Sequence, residues 1–197
     1  MKKTFNIIIL SILCSIISNA QTKKITISDD AFVQGGETAN ETLGETKSKN
    51  LLIFNSKENT KYARITYLKF PLPKIMTEGT TIELNIAIKV YKNEANPDLN
   101  FNLEVVGVKN DNWSESTITW NNKPELGVVL GATEIKQSVN NELQLVKVKL
   151  DAQEFKKLYE NDREVTIALV NNNFNKISAM GQSKESYAKN AAYLQID

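Results

Sequence analysis

The sequence predicts an all-β fold, a jelly-roll β-sandwich with one short helix. Three observations lead there. Apolar residues alternate with polar ones in short runs along most of the chain, and turn-forming Asn, Asp, Pro and Gly separate the runs. One segment alone, after Asp151, carries the three-to-four-residue period of an amphipathic helix. Roughly ten short strands at regular spacing are the pattern of a sandwich or jelly roll.

In chain order, 51–54 is a short apolar strand and 62–70 a longer one. In the second, Leu68 and Phe70 share one face, and Ile65, Tyr67 and Lys69 share the other. The clearest strand is 81–91, where Ile82, Leu84, Ile86, Ile88 and Val90 alternate with Glu83, Asn85, Ala87, Lys89 and Tyr91. Period two with one apolar face marks a half-buried strand. Residues 92–100 supply a turn, and Phe101, Leu103 and Val105 resume the alternation to about Val108. These two runs are expected to be antiparallel neighbours. Further strands are expected at 127–135, 143–150, 164–171, 177–180 and 191–196. For the helix, Asp151 precedes Glu154 in a capping pattern. Phe155, Leu158 and Tyr159 then form its apolar stripe, with an end near Asn161 and Asp162.

The stretch 110–124 holds both tryptophans, Trp113 and Trp120, among Asn, Ser, Thr and Pro. It reads as a long ordered loop pinned by its indoles, which are expected to pack as anchors rather than to serve as sugar-stacking platforms.

Composition narrows the function. Lys2 and Lys3, the apolar run 5–17 and Ser18-Asn19-Ala20 have the form of an export signal, cleaved near Ala20. The expected organisation is therefore a signal at 1–20 and one secreted domain at 21–197, with no membrane insertion after cleavage. The run is too short to span a bilayer. Cys14, the only cysteine, leaves with it, and Leu13 before it is wrong for a lipoprotein signal. Without Lys2 and Lys3 the balance of 24 Lys+Arg against 23 Asp+Glu becomes −1, so no basic excess points to nucleic acid. There is no histidine, which removes Ser-His-Asp and Cys-His catalysis and His-metal sites. No Walker loop, dinucleotide fingerprint or zinc pattern is present. The expectation is a protein that is not an enzyme.

Several blocks carry a family resemblance. The run from Trp113 through Glu115-Ser116-Thr117-Ile118-Thr119-Trp120-Asn121-Asn122 to Pro124 resembles the signature of the DNRLRE domain group, which includes carbohydrate-binding module family 96. Asp30-Ala31-Phe32-Val33-Gln34-Gly35-Gly36 is similar to that group's opening block. Leu51-Leu52-Ile53-Phe54-Asn55, the segment Arg64 to Phe70, and Ser183-Lys184-Glu185 with Ala192-Tyr193-Leu194 are similar to later ones. The resemblance implies a secreted jelly-roll module whose ligand is an acidic polysaccharide, alginate first. Gln34 and Phe54 stand where the family commonly has cations, which thins the positive surface.

A polyuronate calls for Lys and Arg to meet carboxylates, with Asn and Gln to meet hydroxyls. The expected ligand residues are Arg64, Tyr67 and Lys69 on one strand, joined by Lys184, with Gln34 and Asn55 adding hydrogen bonds and Tyr193 a stacking surface. Together they would form one cationic sheet face. Simple alternation gives Arg64 the core parity of Leu68, so it needs a bulge or a place beyond the sheet edge. No cofactor is required. A structural calcium is possible, with Asp29, Asp30, Asp111, Asn112 and Asp197 offering oxygens in no EF-hand spacing. Two other readings remain: an adhesive surface module with a protein partner, and a small lyase using Tyr67 with Arg64 and Lys69.

Overall fold

The computed structural model describes residues 22–44, 49–55, 60–72, 80–159, 163–186 and 188–197. The expected signal at 1–20 and the expected helix end at 161–162 lie outside them. Among the described residues eleven strands are formed: β1 Lys23–Thr26, β2 Asp29–Gln34, β3 Asn50–Phe54, β4 Arg64–Pro71, β5 Ile82–Val90, β6 Phe101–Val108, β7 Leu126–Ile135, β8 Gln144–Leu150, β9 Glu164–Val170, β10 Ser178–Gln182 and β11 Tyr193–Ile196. The helix α1 spans Ala152–Tyr159.

All the strand pairs are antiparallel, and they make two layers. In the first, β5 is central. It pairs with β8 along one edge and with β11 and then β10 along the other, with β1 beyond β11 and β3 beyond β10. The second runs β2-β4-β9-β6-β7. Phe54 pairing with Arg64 joins the layers at one corner. Between them lies a core in which Leu84, Ile88, Leu68, Phe70, Phe101, Leu103 and Ile167 are fully buried. The two layers and their shared core are a β-sandwich, as expected.

The pairing differs from the expectation at one point: β5 and β6 are not neighbours. Both edges of β5 are taken, and the 91–100 link is long enough to cross to the other layer. Gln137 holds that crossing, its Nε2 donating to the carbonyls of Asn96 at 2.8 Å and Leu99 at 3.0 Å. The helix follows its sequence. Asp151 Oδ1 accepts the N–H groups of Gln153 and Glu154 at 2.9 and 3.1 Å, capping the first turn. Phe155 is buried, and Leu158 packs over Gly107 of β6 so closely that a Cβ there would come within 2.6 Å of it.

A second apolar cluster lies on the other face of the second layer. Ala31, Val33, Tyr67, Val108 and Ala168 of that sheet meet Trp113 and Ile118 of the 110–124 loop. The loop therefore covers the outside of β2-β4-β9, and these three strands are buried on both faces.

Candidate functional site

Burial on both faces corrects the expected cationic sheet face. Tyr67 and Lys69 do share a side of β4, but that side lies under the loop. Tyr67 is wholly buried, its hydroxyl donates to the Pro124 carbonyl at 2.9 Å, and burial pushes its phenol well above the usual range. Lys69 is buried, with its Nζ 2.6 Å from the Trp113 carbonyl and 5.0 Å from that indole's centre. A carbonyl and an aromatic face are what a desolvated ammonium needs. Trp113 is a packed anchor, as expected. Its Nε1 donates to Thr166 Oγ1 at 2.9 Å, and its ring stands edge-on to Tyr67 at 6.0 Å. These residues fasten the loop and present nothing to a ligand.

Trp120 meets the expectation of an anchor in part, packing against the second apolar cluster. It is half-buried and, with Phe54, Asn55, Arg64, Leu126, Asn171 and Asn172, lines an open cleft of about 290 Å³. Lys123 covers part of the indole, its Nζ 4.0 Å from the ring centre and 2.8 Å from the Trp120 carbonyl. Burial lowers the Lys123 pKa.

Arg64 sits at the corner where β2, β3 and β4 meet, paired with both Gln34 and Phe54. Arg64 is the first residue of β4, and there it is half-buried rather than enclosed in the core as its parity suggested. Arg64 Nε donates to Gln34 Oε1 at 2.7 Å, and its guanidinium carbon lies 5.8 Å from the Phe54 ring centre. Burial lowers its pKa, though an arginine stays charged at any physiological pH. Gln34, Asn55 and Arg64 are thus brought together. Trp120, Asn171 and Asn172 join them from segments whose part in the cleft was not expected, and Phe54 joins from the block that supplies Asn55. The aromatic at 54 was the available signal, because it stands in a block expected at the site.

Lys184 is elsewhere. Its N–H donates to Asp30 Oδ2 at 2.8 Å, and its ammonium bonds to Glu115 and Glu185. Burial opposes that charge, but the two carboxylates raise its pKa on balance. The Asp30 N–H donates to Glu115 Oε1 at 2.7 Å. This network ties β2, the tryptophan loop and the 183–186 turn together. Asp30 is buried and its carboxyl is pushed up to about 7 by that burial, Glu185 and Glu115 adding to the effect while the Lys184 N–H works against it.

Oxygens of Asp30, Glu115 and Glu185 lie within 4.8 Å of one another, a donor set that suits a hard cation. Asp30 Oδ1 is buried without a hydrogen-bond partner. The Lys184 ammonium already meets the other two acids. Of the oxygen donors weighed from the sequence, Asp30 alone falls in this group. Tyr193 lies on the outer face of β11, with Lys24 Nζ 4.1 Å from its ring centre.

The family model of carbohydrate-binding module family 96 matches residues 21–197. The chain belongs to that family. A solved structure of the K1 cleaved adhesin domain of Lys-gingipain from Porphyromonas gingivalis W83 is similar over 90% of each chain, at 11% identity and a TM-score of 0.34. No curated protein matches. For a carbohydrate-binding module, the partner class is carbohydrate, and a glycan needs an open surface that offers ring faces and hydrogen bonds. Among the places where the expected residues fall, the Arg64–Trp120 cleft is the open concavity. No helix among the described residues is long and apolar enough to cross a membrane.

Proposed function

We propose that this family 96 module binds an acidic polysaccharide, alginate first, in the cleft between Phe54, Arg64 and Trp120, and that it does so without cleaving it. The supporting observation is a guanidinium over the Phe54 ring, in a cleft that Trp120 also lines. Its Nε is held by Gln34, and its terminal nitrogens have no other partner among the described residues. Those two nitrogens can take a uronate carboxylate in bidentate fashion. The open part of the Trp120 indole offers an apolar surface to the C–H face of a sugar, and Asn55 supplies an amide for hydroxyls, while Asn172 is held by Glu104 through its Nδ2 at 2.6 Å. The lyase reading loses its basis, since the Tyr67 hydroxyl is committed to Pro124 and Lys69 is buried beneath the loop. The module acts outside the cell after removal of 1–20, and the secreted protein should begin at Gln21 on N-terminal sequencing. A calcium ion, where it binds, is held by Asp30, Glu115 and Glu185 in competition with Lys184.

Affinity electrophoresis in alginate at low salt tests the reading. Retardation is expected for the wild type, to be reduced about tenfold or more in affinity by Trp120→Ala and by Arg64→Ala, as for the loss of a stacking surface or a charge-assisted bond. Added salt should weaken it. Absence of retardation by alginate, pectate and ulvan alike would overturn it. A rise in absorbance near 235 nm on incubation with alginate would instead restore the lyase.

A further inference from the structure

The first layer turns a second set of residues outward, and strand register defines it. Cross-strand partners share a face, as do residues two apart on a strand. Lys24, Gln195, Glu83 and Lys149 lie in one row across β1, β11, β5 and β8. Thr26, Tyr193, Asn85 and Lys147 lie in the next. The residues of opposite parity, Ile25, Leu194, Leu84 and Val148, are buried in the core, so both rows lie on the outer side of the sheet, where Asn85 alone of the eight is itself buried. Along β5 the same face continues through Ala87 and Lys89 to Tyr91, and Lys89 Nζ stands 4.5 Å from the Tyr91 ring centre.

The face does not stop there. Through β10 it continues to Phe54, because Met180 pairs with Lys89 and Leu52, and Ser178 with Phe54. The Tyr91 N–H donates to the carbonyl of Ser178, the cross-strand partner of Phe54, at 2.9 Å. Phe54 therefore belongs both to the cleft lining and to the edge of this face.

The charge of the face is one-sided. Four lysines, Lys24, Lys89, Lys147 and Lys149, stand against Glu83 and Asp197, in a chain whose remainder is close to neutral. One of the two acids is already bound, Lys147 Nζ lying 3.0 Å from Glu83. The run from Glu83 to Tyr91 is about 27 Å long at the strand rise, enough for several sugars. Between the lysines, Ala87 pairs with Leu145, whose side chain is exposed.

We propose that this outward face is an extended track for the same acidic polysaccharide, leading from the Arg64–Trp120 cleft along β5 past Lys89, Lys147 and Lys149. The proposal rests on the cleft reading for the end at which the glycan is anchored. A polyanion fits the excess of lysine, and a glycan fits the tyrosine rings and the apolar step at Leu145. The track makes affinity depend on ligand length, because each further carboxylate meets another ammonium.

Isothermal titration with a uronate trimer and a uronate decamer tests this on the wild type, on Trp120→Ala, and on the triple variant Lys89→Gln, Lys147→Gln, Lys149→Gln. The lysines carry surface charge and at most weak ion pairs, so the triple variant should keep the wild-type circular dichroism and unfolding midpoint. In the wild type the decamer should bind at least about tenfold more tightly than the trimer. The triple variant should lose most of that gain and keep its trimer affinity, while Trp120→Ala should lose the trimer. Comparing ratios between variants removes the statistical advantage of a repeating ligand. An unchanged decamer-to-trimer ratio in the triple variant overturns the track and leaves the cleft. Decamer binding that depends on the lysines but not on Trp120 keeps the track and removes the cleft. Absence of binding by both oligomers removes both. Single-stranded DNA binding as tightly as the decamer, with the same lysine dependence, overturns the assignment to polysaccharide.

Discussion

Lys69 went from the expected ligand face to the interior, and Trp120 both packs against the second cluster and lines a cleft. A lysine on an alternating strand reads as solvent-facing, and a tryptophan in a fixed loop reads as an anchor. Whether a strand's second face is open depends on what folds over it, and local period carries no record of a loop arriving from forty residues away. Lys69→Met should therefore lower stability by about 1–3 kcal/mol, since the buried Trp113 carbonyl loses its donor. It should leave the polyuronate affinity of the folded protein unchanged. Chemical denaturation beside titration separates the two effects, and a loss of affinity without a loss of stability would return Lys69 to the site. Asp30 gives a pH prediction at the same scale. Its carboxyl is held near 7 in the fold against 3.8 for the free residue, so folding favours the protonated acid. That contribution is complete below 3.8 and is lost as pH rises through about 7. Asp30→Asn, which cannot ionise, should gain stability relative to the wild type from pH 4 to pH 8, by more than about 1 kcal/mol. Melting temperatures across that range measure it, and a constant difference would mean that Lys184 neutralises Asp30 throughout.

Strands and the helix were legible because each announces itself within a few residues. The nine strands expected from 51 onward are all formed, with ends displaced by a residue or two. β1 and β2 were not read as strands: Lys23–Thr26 has one buried residue, and Asp29–Gln34 is buried through its middle rather than alternating. Pairing was less legible. β5 and β6 look like a hairpin by proximity, yet β5 takes as partners strands that begin more than fifty residues later. Where β7 meets β8, the sequence holds one clue, Gly131. A Cβ there would lie 2.4 Å from the Lys149 carbonyl oxygen, a backbone atom that cannot swing aside. The glycine lets the edges of the two layers come together, and Asp151 N–H reaches the Leu130 carbonyl at 2.7 Å beside it. Gly131→Ala should force these strands apart and cost about 2 kcal/mol or more. Hydrogen exchange should quicken first at Leu130, Asp151 and the start of α1. Wild-type protection there would show that the edge has room.

The whole molecule is held by contacts between distant parts of the chain. β1 pairs only with β11, so the first and last described strands close the first layer together. β11 in turn lies between β1 and the 82–85 half of β5. Removing it strands β1 and bares an edge of the central strand. It also opens the core at Leu194, which is fully buried, and at Ile196. Each large apolar side chain lost from such a core costs about 2–5 kcal/mol, and a domain has only about 5–15 kcal/mol in all. A chain ending at Asn190 should therefore fail to fold, where one lacking only Asp197 should fold normally. Far-ultraviolet circular dichroism and the cooperativity of urea unfolding decide between them. The polysaccharide track gives the comparison a second readout, because Tyr193 and Gln195 belong to it. A shortened chain that still unfolds cooperatively would show that β5 and β8 carry the first layer without β11, and its response to the uronate decamer would then report on the track with the β11 member of each row missing.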